Sequence, residues 1–427
     1  MAQDDLDACG RPVVVVTGTG LITSLGQGRE ENWAALTAGR SGIRRIRRFP
    51  VDGLKTTIAG TVDFVNLAEP SSPALSERIA EIVIEEALGQ AKLGRDGDFP
   101  GPLFLAIAPV EMEWPQRLAL IEAAGLTGEI HWNDLLPAAR AADFTAYHRR
   151  FIFGSIGEAL AARFGTKGAP ISISTACASG ATAIQQGVEA IRRGETEVAL
   201  SVGADASVNP ESLIRFSLLS ALSTRNDPPE SAARPFSKDR DGFVMAEGAG
   251  ALVLESLAHA RARGAEIIGV VAGCGEKSDG FHRTRSSPDG KPIIACMRNA
   301  LADASVSPDD IDYINAHGTG TPENDKMEWL GVSTVFGERA TAIPISSNKS
   351  MIGHTLSAAG AIEAVFSLLT IQRGLLPPTI NYDVPDPALP VDCVPNAARA
   401  AQPRLAISNS FGFGGQNVCL VLGAAPE

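Results

Sequence analysis

Apolar residues along the chain fall into two patterns. Short continuous runs occur at 13–16, 103–108, 171–174, 198–203, 251–255, 267–272, 343–347, 405–408 and 418–422. Runs of this length, rich in aliphatic residues, suit strands covered on both faces. Longer segments at 76–93, 179–193, 290–304 and 358–373 place apolar residues three and four positions apart and predict helices. Strands alternating with helices predict an α/β fold built on largely buried sheets. The first run, Val13 to Val16, leads into Thr17-Gly18-Thr19-Gly20, which reads as a tight turn.

Two of the predicted helices open alike. Ala178, Gly180, Ala181, Ile191, Arg193 and Gly194 recur 180 positions later as Ala358, Gly360, Ala361, Ile371, Arg373 and Gly374. The strand at Val13 has a counterpart near Ile267. A duplicated chain follows, with halves at 1–260 and 261–427 and an insertion in the first half at about 105–150.

Composition narrows the class. The chain is 44% hydrophobic and 20% charged, as folded proteins are. Its net charge of −12 argues against a nucleic-acid partner. No apolar run reaches the roughly 18 residues of a membrane span, so no integral membrane segment is expected. The opening MAQDDLDACGRP lacks the apolar core of a secretory signal. Six cysteines without CxxC spacing fit reduced thiols and a cytoplasmic location. Gly18-Thr19-Gly20 is no dinucleotide loop, because Thr23 stands where the third glycine belongs. The basic run Arg44-Arg45-Ile46-Arg47-Arg48 is a solvated face or a docking spot for an acidic partner.

Candidate chemistry gathers where strands end. Cys177 lies between the run at 171–174 and the small-residue start of a helix. A helix N-terminus favours thiolate and draws a thiol from ~8.5 towards 7 or below. A buried structural thiol is the plain alternative. His317, in NAHGTGTP (315–322), and His354, in NKSMIGHT (348–355), both sit in glycine-flanked turns. They are far apart in sequence and lack a third ligand at zinc spacing, so no metal is expected. Neutral imidazoles there could donate N–H bonds to a developing oxyanion. Lys349 invites pairing with a carboxylate, Glu328 or Asp325. The stretch FGFGGQN (411–417) is either an ordinary hairpin turn or a backbone N–H donor with a movable Phe413.

Together these residues resemble the β-ketoacyl-acyl-carrier-protein synthases, most closely the type II, elongating enzymes. The matching motifs are TACASG (175–180), ALSTRND (221–227), RPFSKDRDGF (234–243), NAHGTGTP (315–322), KSMIGH (349–354) and NSFGFGG (409–415), in the family's order. The resemblance implies the thiolase fold, two duplicated α/β halves in a five-layered αβαβα arrangement, usually as a homodimer. It implies an acyltransferase in which Cys177 takes an acyl group from acyl carrier protein, with the backbone N–H groups of Cys177 and Phe413 holding the oxyanion. Malonyl carrier protein would then lose carbon dioxide under hydrogen bonds from His317 and His354, and the carbanion would attack the thioester. Lys349, paired with Glu328 and supported by Asp325, would organise the second step. Phe413 matches the family's gate, and Thr284, Thr319 and Thr321 would contact the phosphopantetheine arm. The resemblance implies no cofactor beyond that arm, and allows a structural monovalent cation.

Departures from the family bear on substrate. A glycine-rich stretch that lines the family's acyl pocket reads APVEMEW here (108–114). Leu218 and Leu219 replace smaller residues, and Gln416 stands where Thr is usual. The helix at 76–93 carries Glu77, Glu81, Glu85 and Glu86 where the family is basic; Arg44 to Arg48 or Arg149-Arg150 could compensate. These departures suggest a specialised paralogue for unusual or very long chains, those of lipid A being one case. The alternatives are a polyketide ketosynthase, with the same reacting residues, or a non-catalytic chain-length partner subunit, which the presence of Cys177 disfavours. A thiolase would need a second catalytic cysteine, and neither Cys393 nor Cys419 lies in such a motif.

Overall fold

The computed structural model describes residues 3–67, 71–141 and 150–426. Residues 142–149 of the expected insertion, with Arg149, lie outside them.

Ten strands carry the fold. The first half contributes β1 (Val14–Thr23), β2 (Leu103–Ile107), β3 (Ile171–Ile173), β4 (Val198–Asp205) and β5 (Gly248–Ser256). The second contributes β6 (Gly269–Ser278), β7 (Tyr313–Asn315), β8 (Ile345–Ser346), β9 (Leu405–Phe411) and β10 (Gln416–Gly423). Their spatial orders, β3-β2-β4-β5-β1 and β8-β7-β9-β10-β6, are the same. So are their senses: the three strands at the outer end run parallel in each half, and the remaining pairings are antiparallel. Bonds pairing Val15 with Val270 and Val16 with Gly269 join the two halves through β1 and β6.

Helices fill the remaining layers: α1 (Ser72–Ala91), α2 (Ser179–Arg192), α3 (Lys291–Asp303), α4 (Pro322–Phe336) and α5 (Ala359–Arg373). On one outer face Val83, Ile84 and Ala87 of α1 pack on Leu105, Val202 and Val253. On the other, Ile293 and Met297 of α3 and Met327 of α4 pack on Ile314, Ile407 and Val421. Between the two halves of the sheet Ile184 and Val188 of α2 meet Ile362 and Phe366 of α5, with Leu252, Leu254, Leu420 and Leu422. Successive strand residues point to opposite faces, and here both faces are core. That double burial explains why the strands read as continuous apolar runs. The result is the expected αβαβα thiolase architecture.

The repeated glycines have a packing reason. A Cβ on Gly180 would lie 2.5 Å from the Ala361 nitrogen, and one on Gly360 2.5 Å from the Ala181 nitrogen. The two central helices therefore cross with backbones in contact at their N-terminal ends. At 17–20 the sequence reading needs correction, because β1 continues unbroken to Thr23 past a bulge between Val16 and Gly18. Gly18 and Gly20 make room for α1 instead: a Cβ there would lie 2.1 Å from Ala87 O and 1.9 Å from Val83 O.

Candidate active site

Cys177 sits in the turn from β3 to α2. The chain reverses at Ala176, whose φ of 50° is left-handed, a conformation that costs an L-residue roughly 1–2 kcal/mol. Ser179 Oγ holds the turn, accepting from Thr175 N–H at 2.8 Å and donating to Ala176 O at 2.6 Å. The thiol is buried and receives a hydrogen bond from the backbone N–H of Phe413. That donor comes from the hairpin between β9 and β10, closed by Gly412 N–H to Gln416 O at 2.7 Å. Gly414 and Gly415, at φ of 89° and 88°, let the hairpin adopt this shape. The stretch is thus both an ordinary hairpin turn and a donor to the sulfur.

The two histidines converge on the thiol from separate turns. One ligand-type atom from each of Cys177, His317 and His354 lies within 4.8 Å of the others. Their rings meet edge to face, centroids 5.3 Å apart. His354 is clamped through its backbone, its N–H bonding Val244 O at 2.7 Å and its carbonyl accepting from Ala246 N–H at 2.9 Å. Its Nδ1 accepts from Leu356 N–H at 3.3 Å, which places the proton of the neutral ring on Nε2. Sequence spacing gave the two histidines no third partner, and the fold supplies one by bringing Cys177 to both imidazoles.

The carboxylates are arranged differently from the sequence expectation. Lys349 Nζ pairs with Glu363 of α5, not with Glu328, and both side chains are buried. Glu328 instead accepts from the backbone N–H groups of His317 at 2.8 Å and Gly318 at 2.7 Å, and from Asn409 Nδ2 at 3.0 Å. It is a positioning group for the His317 turn. Asp325 accepts from Phe236 N–H at 2.8 Å and Gly320 N–H at 3.2 Å, tying two loops behind that turn. Glu363 escaped the sequence reading, although a lone acid in the apolar run 359–371 was the available signal.

Burial governs the protonation states. It pushes the Cys177 thiol up to about 11, against the lowering by the Phe413 N–H bond and by Lys349. The depressed thiol expected from a helix N-terminus is therefore corrected: at neutral pH the resting sulfur carries its proton. Burial, with the nearby Lys349 charge, holds His317 and His354 well below 6.5, so both imidazoles are neutral. Burial also raises Glu363 to about 7 and Glu328 to about 6.

Two cavities meet at the sulfur. The first, about 490 Å³, is lined by Cys177, His317 and His354 with Thr284, Thr319 and Thr321 along its wall. The second, about 410 Å³, reaches from Cys177 past Ala108, Val110 and Glu113. Phe413 lines both and so stands between them. Leu219 borders the first cavity, while Leu218 is 80% exposed.

The basic and acidic patches are largely spoken for. Arg48 pairs with buried Glu247 at 2.6 Å and Asp63 at 2.8 Å, and Arg45 pairs with Asp227. The acids of α1 are held by arginines, Arg163 meeting Glu81 at 2.8 Å and Glu85 at 2.6 Å, and Arg150 meeting Glu77 at 3.5 Å.

Fold and thiol together define the class, an acyltransferase of the thiolase fold. Comparison with known proteins narrows it. The model of the β-ketoacyl synthase N-terminal domain matches residues 11–84 and 144–260, and that of the C-terminal domain matches 268–383. A 3-oxoacyl-[acyl-carrier-protein] synthase 2 from Coxiella burnetii is 36% identical over 419 residues, spanning 96% of this chain and 98% of its own. A putative polyketide β-ketoacyl synthase 1 from Streptomyces cyaneus is 36% identical over 427 residues, with coverage of 96% and 98%. Among solved structures, a type II polyketide synthase acyl-carrier protein in complex with its ketosynthase bound to the hexaketide aligns with TM-score 0.87 and 34% identity, covering 97% of this chain and all of that one. The chain belongs to the β-ketoacyl synthase family.

Proposed function

We propose that the chain is a 3-oxoacyl-carrier-protein synthase in which Cys177 carries the growing acyl group and the two histidines drive the decarboxylating half-reaction. The observation that carries this reading is the convergence of one thiol and two neutral imidazoles where two cavities meet. In the first half-reaction the Cys177 sulfur attacks the carbonyl of an acyl carrier protein thioester, the carrier thiol leaves with a proton, and an imidazole relays the proton that the buried thiol gives up. The acyl chain then lies in the second cavity, with Phe413 moving aside as a gate. In the second half-reaction malonyl carrier protein enters the first cavity and loses carbon dioxide. N–H groups of His317 and His354 stabilise the enolate oxygen, which neutral rings do without giving up a proton. The enolate carbon attacks the Cys177 thioester, a C–C bond forms, the S–C bond breaks and the thiolate is reprotonated. The product stays on the carrier, two carbons longer, and the former thioester carbonyl is its C3 keto group.

Burial keeps both imidazoles neutral, the Lys349 charge adds to that effect, and Glu363 holds the lysine in place. The phosphopantetheine arm would run along Thr284, Thr319 and Thr321 and is a part of the substrate; no resident cofactor is invoked. At the mouth of this cavity Arg285 and Lys326 are exposed and form no ion pair among the described residues, which suits the phosphate of the arm and an acidic carrier. Fatty acyl and polyketide carriers remain alternatives of one reaction. We further assign the chain to the cytoplasm as a homodimer; among the described residues no helix is long and apolar enough to cross a membrane. The reading is tested by mixing the protein with acyl and then malonyl carrier proteins. A 3-oxoacyl carrier two carbons longer is expected, and carbon dioxide release with no chain extension would contradict it.

A further inference from the structure

The second cavity has a wall that a saturated hydrocarbon chain does not explain. Glu113 lies on it and is 7% exposed. Its Oε1 accepts from Ser72 N–H at 2.9 Å and Asn209 Nδ2 at 3.1 Å, so this oxygen caps the start of α1. Its Oε2 has no hydrogen-bond partner, and the carboxylate no ion pair, among the described residues. Glu111 nearby is taken by Arg215, while Asp205 is satisfied by Ser207 N–H at 2.9 Å and Ser357 N–H at 3.0 Å. Ser72, Ser76, Asn209 and Ser212 add polar groups to this lining, beside the apolar Pro73, Ile107 and Val110. A carboxylate oxygen on the cavity wall that takes no donor from the described residues is available to accept one from a ligand.

We propose that this cavity takes a short acyl chain bearing a hydrogen-bond donor, a hydroxyl or an ammonium, and that Glu113 Oε2 accepts from it as the specificity-determining group. The proposal rests on the condensing reading above, because the chain is the one borne by Cys177. The cavity, about 410 Å³, is of the size that holds a small ligand, and its wall disfavours a very long saturated chain. The donor's partner is an oxygen already fixed by its own carboxylate's bonds to Ser72 and Asn209, so the site needs little ordering when a chain arrives.

The test uses acyl thioesters of N-acetylcysteamine with four, six and eight carbons, each saturated, ω-hydroxy or ω-amino. Acylation of Cys177 is followed by intact-mass spectrometry in the wild type and in Glu113→Gln, which keeps the α1 cap but presents an amide N–H or a weaker acceptor to the cavity. For at least one length the donor-bearing chain is expected to react at least about tenfold faster than its saturated counterpart, as a hydrogen bond to a charged group allows. Glu113→Gln should bring that ratio close to one. A preference for ω-amino alone assigns an ammonium; a preference shared with ω-hydroxy assigns a neutral donor. Equal or faster reaction of the saturated chains at every length overturns the proposal, and so does a preference that survives in Glu113→Gln. The wild-type comparison decides even if the variant does not fold. No adduct from any chain would instead overturn the condensing reading, and this inference with it.

Discussion

The ion pair between Lys349 and Glu363, with side chains 2% and 1% exposed, is where a single substitution should cost most. Removing one partner of a buried pair leaves an uncompensated charge, typically at a cost of about 3–5 kcal/mol. Lys349→Ala should lose stability of that order in urea denaturation, and Lys349→Met with Glu363→Leu should recover most of it. A loss below about 1 kcal/mol in the single variant would show that the pair does not stabilise this core. Cys177 offers a second check. Its folded pKa is raised from 9.0 to about 11, so the reactive thiolate fraction is smaller than in a free cysteine and grows about tenfold per pH unit below that value. Alkylation of Cys177 by iodoacetamide, followed by peptide mapping, should rise without a plateau from pH 7 to 10. A plateau by pH 8 would mean a thiolate at rest. The motif residues Cys177, His317 and His354 were legible in the sequence because their turns are marked by glycines and small residues. Glu363 was not, since pairing with Lys349 depends on how α5 lies against the turn that carries the lysine.

Between elements, the close approaches are made by glycine. A Cβ on Gly20 would lie 1.9 Å from Val83 O, a backbone atom of α1 that cannot swing away as a side chain could. Gly20→Ala should therefore push α1 off β1 and cost about 3 kcal/mol, visible as a lower urea midpoint. An unchanged midpoint would mean that the two elements are not packed so tightly. The same glycines misled the sequence reading at 17–20, because composition alone does not separate a glycine that turns the chain from one that admits a neighbour. Helices with a sustained apolar spacing were read to within a few residues, such as α2 and α5. The helix α4 was missed: Pro322–Phe336 mixes Asp325 and Glu328 into its buried face, and those acids serve loops rather than the core.

For the whole molecule, the duplicated order of strands places the two small-residue helices back to back and brings both sets of turns to one end. That arrangement gathers residues as distant in sequence as Cys177, His354 and Phe413. Periodicity and the 180-residue repeat made the α/β class and its doubling legible; no spacing rule could give the meeting of two cavities at one sulfur. One edge of the sheet ends in β3, with Ile171 47% exposed, and an uncovered edge is ready to pair with another chain. Sedimentation should accordingly give twice the 44.6 kDa mass of the chain, and Ile171→Lys should shift it towards the monomer. A wild-type monomer at micromolar concentration would contradict the proposed homodimer.

The most direct test of the central claim is intact-mass spectrometry of the protein after exposure to acyl carrier protein, comparing the wild type with Cys177→Ala, His317→Ala and His354→Ala, before and after malonyl carrier protein is added. The division of labour between thiol and imidazoles predicts no acyl adduct on Cys177→Ala. It predicts adducts on both histidine variants that persist when malonyl carrier protein is added, while the wild-type adduct is consumed. An adduct on Cys177→Ala, or discharge of the acyl group by the histidine variants at the wild-type rate, would contradict it.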